Sequence, residues 1–381
     1  MGAARPAAAT ARPAPACDAF PASAHARGGD WRERRIVWQL LRAVRQLGES
    51  AAVVLGVVTV TFIVTRVLAP DPTSLFLGGS SSGFANAQAK AAAIAKVRQQ
   101  LGLNASIPTQ YVHFLDNLLH GDLGRSFQTG RSVTGDLWAR FPATAELALY
   151  SLTLGICLGI GIGVLAAVRR GRLADVASRI FTIGSLAMPQ FWVGLMLLWV
   201  FAAKLHLAPG PAGRLPVGVE PPPHVTGLYM VDAVLAGQWS TAGAACSQLA
   251  LPVITLSVGL AAPIAKVVRT SMIEALASDY VRTAVAIGFS RRRIWFRYAL
   301  KNSLLPVLTM LANVVAFTLV GSILVEGVFG WPGIGNYALQ AIENSDFPAV
   351  QGFVIYATIL YVIVYELLSY LYTLADPRVR P

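Results

Sequence analysis

The chain has 381 residues, of which 55% are hydrophobic and 13% are charged, about half the charged fraction of a soluble domain. With a mean hydropathy of +0.57, this composition excludes an ordinary soluble protein and predicts an all-α, multi-pass protein of the inner (plasma) membrane. The net charge of +12 does not indicate a nucleic-acid partner, because the cations cluster at the ends of apolar runs, where the positive-inside bias explains them.

The residue types that usually carry catalysis or bind metals show no recognisable spacing. Cys17, Cys157 and Cys246 offer neither a metal-ligand pattern nor a disulfide framework, and the five histidines form no ligand pair. None of the lysines follows a glycine, so the chain has no GKS or GKT phosphate loop. We therefore expect no enzyme activity, no metal and no cofactor in this chain. If a nucleotide powers the protein, another chain must bind it.

Residues 1–46 are predicted to form a cytoplasmic tail, disordered at first because the Ala/Pro/Arg-rich start lacks apolar periodicity. For residues 1–30 an unremarkable tail or a misassigned start site is an equally good explanation. Residues 31–45 are basic and amphipathic, which suits a helix on the inner membrane surface, and no secretory signal peptide is expected. Span one follows at 47–69 and should end at the Pro70-Asp71-Pro72 turn.

Residues 70–143 are predicted to form a small extracytoplasmic subdomain of mixed polarity. We expect one helix over 85–101 and a second over 108–119, where Pro108 suits the first turn. The aromatic residues of this segment either bind a partner or pack the subdomain, and we favour packing for most of them. They are Tyr111, Phe114, Phe127 and Trp138.

The remaining 144–374 form the predicted membrane core. In span two, Gly155, Gly159, Gly161 and Gly163 should allow close approach of another helix. In span three we expect a kink at Pro189. The spans are predicted at 144–168, 180–205, 249–268, 304–325 and 352–374, with outer loops at 206–248 and 326–351 and a cytoplasmic C-terminus at 375–381.

The cation distribution supports six spans with both termini in the cytoplasm. The segments predicted to lie inside carry 22 of the 31 Lys and Arg residues, whereas the three outer loops carry seven. Three acids lie within or beside the spans. We expect Glu146 and Glu326 at the outer interface, where a carboxylate costs little, and Glu366 deeper in the membrane. A single deep acid is weak support for a proton-coupled carrier.

The most informative stretch is 278–306, within a basic cytoplasmic loop at 270–303. Ser278 or Asp279 should cap a short helix, and Gly288 should allow a bend or the approach of another backbone. Such a helix could insert into a groove on a soluble partner, or it could simply connect two spans. For Arg291–Arg293 we favour a purely topological role. The apolar face predicted for docking contains Val281, Ala284, Val285 and Gly288.

This stretch resembles the coupling loop of ABC importer permeases, in the dipeptide/oligopeptide (and nickel) branch. The resemblance lies in DYVRTA at 279–284, Gly288 and LLP at 304–306, with Arg-Thr-Ala where the general loop has Glu-Ala-Ala. That departure weakens a match to sugar importers. Further similar motifs occur in order along the chain after residue 46. They include GDLGRS at 121–126, PQFW at 189–192, LPVG at 215–218, VFGWPGIG at 328–335, FPAVQG at 347–352 and DPR at 376–378.

The resemblance implies a type I ABC importer permease fold and a role as half of a pathway for di- or oligopeptides. It implies five partners: a second homologous permease, two ATP-binding subunits that hold ATP and Mg, an extracytoplasmic substrate-binding protein, and membrane lipid. A self-sufficient secondary carrier or channel is the alternative, and a receptor-like membrane protein is a third possibility. The residues implied to dock on an ATPase subunit are Asp279, Tyr280, Val281, Arg282, Thr283, Ala284 and Gly288.

Overall fold

The computed structural model describes residues 30–68, 92, 95 and 105–375. The described chain is helical, and within these ranges it contains no β-strand, only an isolated bridge between Arg125 and Ser132. Among the described residues, those up to Ala51 belong to one compact unit and those from Ala52 onward to another. The helices are α1 (Asp30–Ile63), α2 (Ile107–Leu119), α3 (Val133–Val168), α4 (Leu173–Ala187), α5 (Gln190–Leu197), α6 (Tyr229–Leu235), α7 (Trp239–Ala277), α8 (Asp279–Ala286), α9 (Arg291–Arg293), α10 (Leu300–Val328), α11 (Ile334–Glu343) and α12 (Phe347–Ala375). Short π-helical segments continue three of them: Val64–Leu68 follows α1, Leu198–Lys204 follows α5 and Ile294–Ala299 follows α9.

Four stretches of the described helices are long and apolar enough to cross a membrane. A fifth span results if α4 and α5 are counted as one broken span. The predicted all-helical membrane protein is thereby confirmed. The four stretches are Val44–Arg66, Val133–Val168, Trp239–Ala277 and Phe347–Tyr370.

Several helices extend beyond the predicted spans. The helix α3 begins at Val133, inside the segment assigned to the outer subdomain, because Ser132 caps it by accepting a hydrogen bond from the Gly135 N–H. The predicted outer loops also contain helices, α6 and the start of α7 in 206–248 and α11 in 326–351. The predicted helix at 85–101, the Pro70-Asp71-Pro72 turn, residues 1–29 and residues 376–381 lie outside the described residues.

The predicted proline kink in span three is a complete break. The axes of α4 and α5 differ by 106°, far more than a kink within one helix. Met188 adopts extended backbone angles (φ −93°, ψ 130°), because the ring of the following proline disfavours the helical conformation of the residue before it. Pro189 then precedes the first residue of α5, where its missing N–H costs nothing. The chain therefore changes direction sharply in the middle of predicted span three.

The contact between α3 and α7 is the centre of the helical core. Gly155, Gly159 and Gly163 lie against α7, and a Cβ atom on any of them would come within 2.8 Å of a side chain there. Leu260, Ile264 and Val268 supply these α7 contacts. The predicted close approach is confirmed for these three glycines, whereas Gly161 faces open space. Small residues at this spacing let two helix backbones approach closely in a membrane.

The helix α2 packs against the first span. Tyr111 and Phe114 place their rings 5.2 and 5.5 Å from that of Phe62, and the Tyr111 hydroxyl shares a 2.7 Å hydrogen bond with Thr59. Tyr111 and Phe114 therefore pack against the first span, whereas the prediction had the aromatic residues of this segment packing the subdomain itself. By contrast, Trp138 remains 61% exposed, although its ring meets that of Phe141 edge-on.

Glu146 was predicted to lie at the outer interface, but in the structure it is fully buried. Its carboxylate accepts hydrogen bonds from Arg214 at 2.6 and 3.1 Å and from the Met230 N–H at 2.8 Å. Arg214 also donates to the Gly227 carbonyl and lies 3.5 Å from the centre of the Tyr229 ring. A buried carboxylate needs a partner, and here a cation from a loop 68 residues away supplies it. This ion pair connects the 206–228 loop to α3.

Glu326 is fully buried as well, so the prediction that it lies at the outer interface is also wrong. It accepts hydrogen bonds from Thr144 (2.9 Å) on α3 and from the Asn336 N–H (3.0 Å) in the first turn of α11. Thr144 in turn accepts a hydrogen bond from the Ile334 N–H, and the Trp331 indole donates to the Ala143 carbonyl. These bonds satisfy free N–H groups at the start of α11 and fix the turn between α10 and α11 against α3.

Asp232 organises the loop before α6 in a similar way. It accepts hydrogen bonds from the backbone N–H groups of Val225, Thr226 and Gly227 and from the Thr226 hydroxyl. Burial acts to raise the pKa of Asp232, but the Thr226, Gly227 and Val225 hydrogen bonds outweigh it and lower the pKa below its ordinary value. The ionised carboxylate therefore stabilises this turn.

Candidate coupling site

The short helix α8 follows α7 after a single residue, Ser278. Ser278 has extended backbone angles (φ −74°, ψ 157°), which end α7 and begin a new helix in another direction. It occupies the predicted cap position, but its side chain caps nothing: the hydroxyl donates to the Ala275 carbonyl instead. The predicted cap hydrogen bond is therefore wrong. The carboxylate of Asp279 in the first turn of α8 complements the partial positive charge that the helix dipole places at this end.

One face of α8 is buried within the chain itself. Val281 and Ala284 are buried together with Ile294, and Phe289 and Trp295 pack around them. The sequence placed Val281 and Ala284 on an apolar surface for a partner, whereas in the structure both side chains are buried against their own chain. The same helical spacing that makes a docking face also makes an internal packing face, and here the basic segment that returns toward α10 covers it. These two residues attach α8 to its own chain.

The other residues of α8 and of the turn after it are exposed, including Val285 and Gly288, which lie on the same side of the helix as Val281. Tyr280, Val285 and Ile287 are 41%, 59% and 67% exposed, and Asp279, Arg282, Thr283 and Gly288 are exposed as well. Arg282 and Asp279 form an exposed ion pair at 3.3 Å, which contributes little stability. This mixed surface, with two branched apolar side chains near its end, is the part of the predicted site that remains available to another protein.

Gly288 produces the turn that follows α8. Its φ is +90°, a region that side chains other than glycine rarely adopt, and a Cβ atom built there would have no other atom within 4 Å. Glycine is therefore required by the backbone conformation, as predicted, and not by crowding within the chain. The space around it is free for an approaching partner.

Three side-chain contacts fix the orientation of α8 and of the turn. The Asn302 side-chain amide at the start of α10 donates to the Tyr280 hydroxyl at 3.0 Å. Phe289 stacks on Tyr298 with 5.6 Å between ring centres, and the Arg293 guanidinium lies 4.2 Å from the centre of the Phe289 ring. Arg293 thus contributes to the packing of the turn, in addition to any topological role.

A partly buried ion pair connects the C-terminal third of α7 to α4. Arg269 makes two hydrogen bonds, at 2.6 and 3.2 Å, to the carboxylate of Asp175 at the start of α4. Asp175 also accepts a bond from the Gly171 N–H, and Arg179 lies 3.4 Å away. This pair was not predicted from the sequence. The available signal was Asp175, the one acid in an otherwise arginine-rich loop, together with an arginine inside an apolar helix.

The site consists of an exposed helical surface. Among the described residues no three His, Cys, Asp or Glu side chains come together in a way that could bind a metal ion. The exposed surface of α8 is presented by a helix that is packed, hydrogen-bonded and attached directly to a long membrane helix.

Two family models together match most of the chain. Residues 159–381 match the model described as binding-protein-dependent transport system inner membrane component. Residues 40–148 match the N-terminal model of the same group. The first model alone covers more than half of the chain.

Curated relatives agree with this match. The probable D,D-dipeptide transport system permease protein DdpB of Escherichia coli (strain K12) is 39% identical over 342 residues, covering 90% of this chain and 97% of the relative. A dipeptide transport system permease protein DppB of Alkalihalophilus pseudofirmus is 33% identical, covering 90% and 99%. A di/tripeptide permease DppB of Pseudomonas aeruginosa is 35% identical, covering 88% and 97%. On these matches, the chain belongs to the family of binding-protein-dependent transport system inner membrane components, the permease subunits of ABC importers.

Proposed function

We propose that the chain forms half of the transmembrane pathway of an importer for short peptides. The three relatives above are named for dipeptides or for di- and tripeptides, and each matches over nearly its whole length. Permease components of this family lack an ATPase site, and separate subunits hydrolyse ATP. The observation that carries the proposal is the packed helix α8, which presents an exposed surface directly at the end of α7.

The proposed topology has six spans and both termini in the cytoplasm, in a type I importer fold. The described helices supply four or five candidate spans, and the 29-residue α10 covers the predicted fifth. Residues 1–46 form the cytoplasmic tail, 47–69 the first span, 70–143 the extracytoplasmic subdomain and 144–374 the core, with its coupling loop at 270–303. Since α3 begins at Val133, the core extends into the end of the subdomain segment.

The docking surface proposed for α8 consists of its exposed residues only. Asp279, Tyr280, Arg282, Thr283 and Gly288 contact a cleft of an ATP-binding subunit, while the two buried residues of the implied site attach the helix to its own chain. Two such subunits, which hold ATP and Mg, form the ATP-hydrolysing part of the importer. A second homologous permease supplies the other half of the pathway, and an extracytoplasmic binding protein delivers the peptide.

Coupling then amounts to a shift between two conformations of the permease. Changing a two-state equilibrium from 1:99 to 99:1 requires about 5.5 kcal/mol of differential binding. The buried face of α8 packs against Leu276 at the end of α7, and the Arg269–Asp175 pair holds α7 against α4. A loop without these contacts would dissipate the movement of the ATPase subunits instead of passing it to the spans.

The Gly288→Arg variant tests the docking role. A long cation would occupy the free space at the turn and block a partner, so ATP-dependent uptake by the reconstituted importer should fall at least about tenfold, the effect of about 1.4 kcal/mol. The chain should still insert in the membrane and co-purify with the second permease.

Gly218→Arg is the matched control. Gly218 has φ +89° and equally free surroundings, so this variant introduces the same backbone strain and charge in the 206–228 loop. It should retain the ATP-binding subunits on purification. Normal uptake by Gly288→Arg would contradict the docking role. Uptake by the purified chain alone, without ATP-binding subunits, would instead favour a self-sufficient carrier.

A further inference from the structure

A cleft between α4, α7 and α10 lies along the part of α7 that precedes α8. It has a volume of about 450 Å³, within the range of small-molecule sites. Four apolar residues line it: Leu186 at the end of α4, just before the break of that helix, Pro263 and Val267 on α7, and Met310 on α10. Sites for small solutes in transporters form where a helix is interrupted, and this cleft meets that condition.

The same cleft contains two charges of opposite sign on α7. Lys266 and Glu274 are both exposed, and within the described residues neither forms an ion pair or a side-chain hydrogen bond. Lys266 lies at the end of the predicted span 249–268 and Glu274 in the predicted cytoplasmic loop 270–303, so the two charges stand where a solute would leave the membrane. Arg269, between them in the sequence, differs because it is already paired with Asp175. The lysine and the glutamate are therefore available to a ligand.

The spacing of the two charges suits the backbone of a short peptide. They are eight residues apart on one helix, so their Cα atoms are separated by about 12 Å along its axis. An extended peptide of two or three residues spans about 7 to 11 Å between its ends. Between the charges, the Ser271 hydroxyl forms no hydrogen bond within the described chain and can donate to a peptide carbonyl.

We propose that this cleft binds the zwitterionic main chain of a short peptide, with Lys266 contacting its C-terminal carboxylate and Glu274 its N-terminal ammonium. The apolar residues then contact the peptide side chains, and Met310 adapts to different shapes because methionine is unbranched and flexible. This inference rests on the proposed peptide cargo. Since Glu274 lies five residues before α8, the cleft is near the cytoplasmic end of the pathway and serves peptide release.

Two other occupants fit the charges less well. The headgroup of an anionic lipid would be attracted to Lys266 but repelled by Glu274. A lipid with a quaternary ammonium would lack the N–H donors that satisfy a carboxylate at short range. A peptide with free termini satisfies both side chains at once, and its two ends are the feature that all short peptides share. The site would therefore recognise peptide length and free ends rather than sequence.

The test uses the complete importer, with both permeases and both ATP-binding subunits, in lipid nanodiscs without nucleotide or binding protein. Binding is measured for radiolabelled Ala-Ala, N-acetyl-Ala-Ala and Ala-Ala amide. The wild type should bind Ala-Ala about tenfold more tightly than either capped peptide, since a charged hydrogen bond is lost with each cap. Lys266→Gln should bind Ala-Ala about tenfold more weakly and no longer distinguish it from the amide. Glu274→Gln should lose the discrimination against the acetylated peptide.

Lys204→Gln and Glu343→Gln are the matched controls, because they neutralise an exposed lysine and an exposed glutamate away from the cleft. Both should bind all three peptides as the wild type does. In the double variant Lys266→Glu with Glu274→Lys the two charges are exchanged. This variant should bind Ala-Ala again, with the peptide in the opposite orientation. Recovery by this variant would show that the single variants fail through charge and not through misfolding.

Three results would overturn the inference. They are a wild type that binds no Ala-Ala in nanodiscs, single variants that weaken all three peptides equally, and loss of the second permease from the variants on purification, which would make the cleft a subunit interface. Uptake into proteoliposomes with the binding protein separates this failure from that of the proposed function. Normal dipeptide uptake by both variants refutes the cleft alone, whereas absence of dipeptide uptake by the wild type refutes the peptide cargo.

Discussion

The contact between α3 and α7 permits a test on two glycines of one helix. A Cβ atom at Gly159 would lie 2.7 Å from Ile264 Cβ and 2.9 Å from the Ala261 carbonyl oxygen, whereas one at Gly161 would meet nothing within 4 Å. Because one obstacle is backbone and the other a Cβ atom, no change of rotamer relieves the clash. The helices must separate, and overpacking of this kind costs about 1–3 kcal/mol.

The comparison of Gly159→Ala with Gly161→Ala isolates this cost. Replacing glycine by alanine within a helix gains about 1 kcal/mol of helix propensity, and the gain is the same at both positions. Gly159→Ala should therefore be about 1–3 kcal/mol less stable than Gly161→Ala. The free energy of unfolding is measured on the purified chain in micelles, with SDS as denaturant and far-ultraviolet circular dichroism as the signal. Equal unfolding free energies for the two variants would refute the close packing of α3 on α7.

Three further predictions concern polar contacts. Glu146→Gln should lower the free energy of unfolding by about 3–5 kcal/mol, because it leaves the Arg214 guanidinium buried without a counter-ion; a loss below about 1 kcal/mol in the same SDS titration would contradict the buried pair. Tyr280→Phe removes the hydrogen bond from Asn302, so uptake per ATP hydrolysed should fall while the ATP-binding subunits still co-purify, and an unchanged ratio would argue against this contact. Folding lowers the pKa of Asp232, so its stabilisation is complete above the unfolded pKa of about 3.9 and is lost as the pH falls through the folded value. Asp232→Asn should therefore destabilise at pH 7 and approach the wild type in acid, and a difference independent of pH would contradict the ionised state.

Local features of the fold were predictable from the sequence because single residues determine them. Pro108 marks the start of α2, Gly288 marks a turn with positive φ, and the glycines of span two mark a close helix contact. Each of these follows from the backbone conformations or the volume that one residue type allows. The apolar runs likewise locate most of the membrane helices, although not their ends, because helices continue beyond the apolar core when caps and polar contacts support them.

Long-range pairing was not predictable. The sequence shows that Val281 and Ala284 share a face of α8, but not that the segment around Ile294 covers it. Glu146 and Glu326 appeared as isolated acids, and their partners lie in loops and turns whose direction no local pattern encodes. The break at Met188 was underestimated for a related reason. A proline before a helix permits either a kink or a new helix, and packing against neighbouring helices decides between them.

The length of α7 determines how movement at its two ends is related. With 39 residues at 1.5 Å each, the helix is about 58 Å long, about twice the hydrocarbon thickness of a bilayer. Ile264, at the tight contact with α3, is about 20 Å from Ala277 but about 38 Å from Trp239. If α7 tilts as a rigid body about this contact, its Trp239 end moves about twice as far as the end that carries α8, and in the opposite direction. Under the proposed coupling, a small displacement of an ATP-binding subunit docked on α8 would therefore produce a larger one at the Trp239 end.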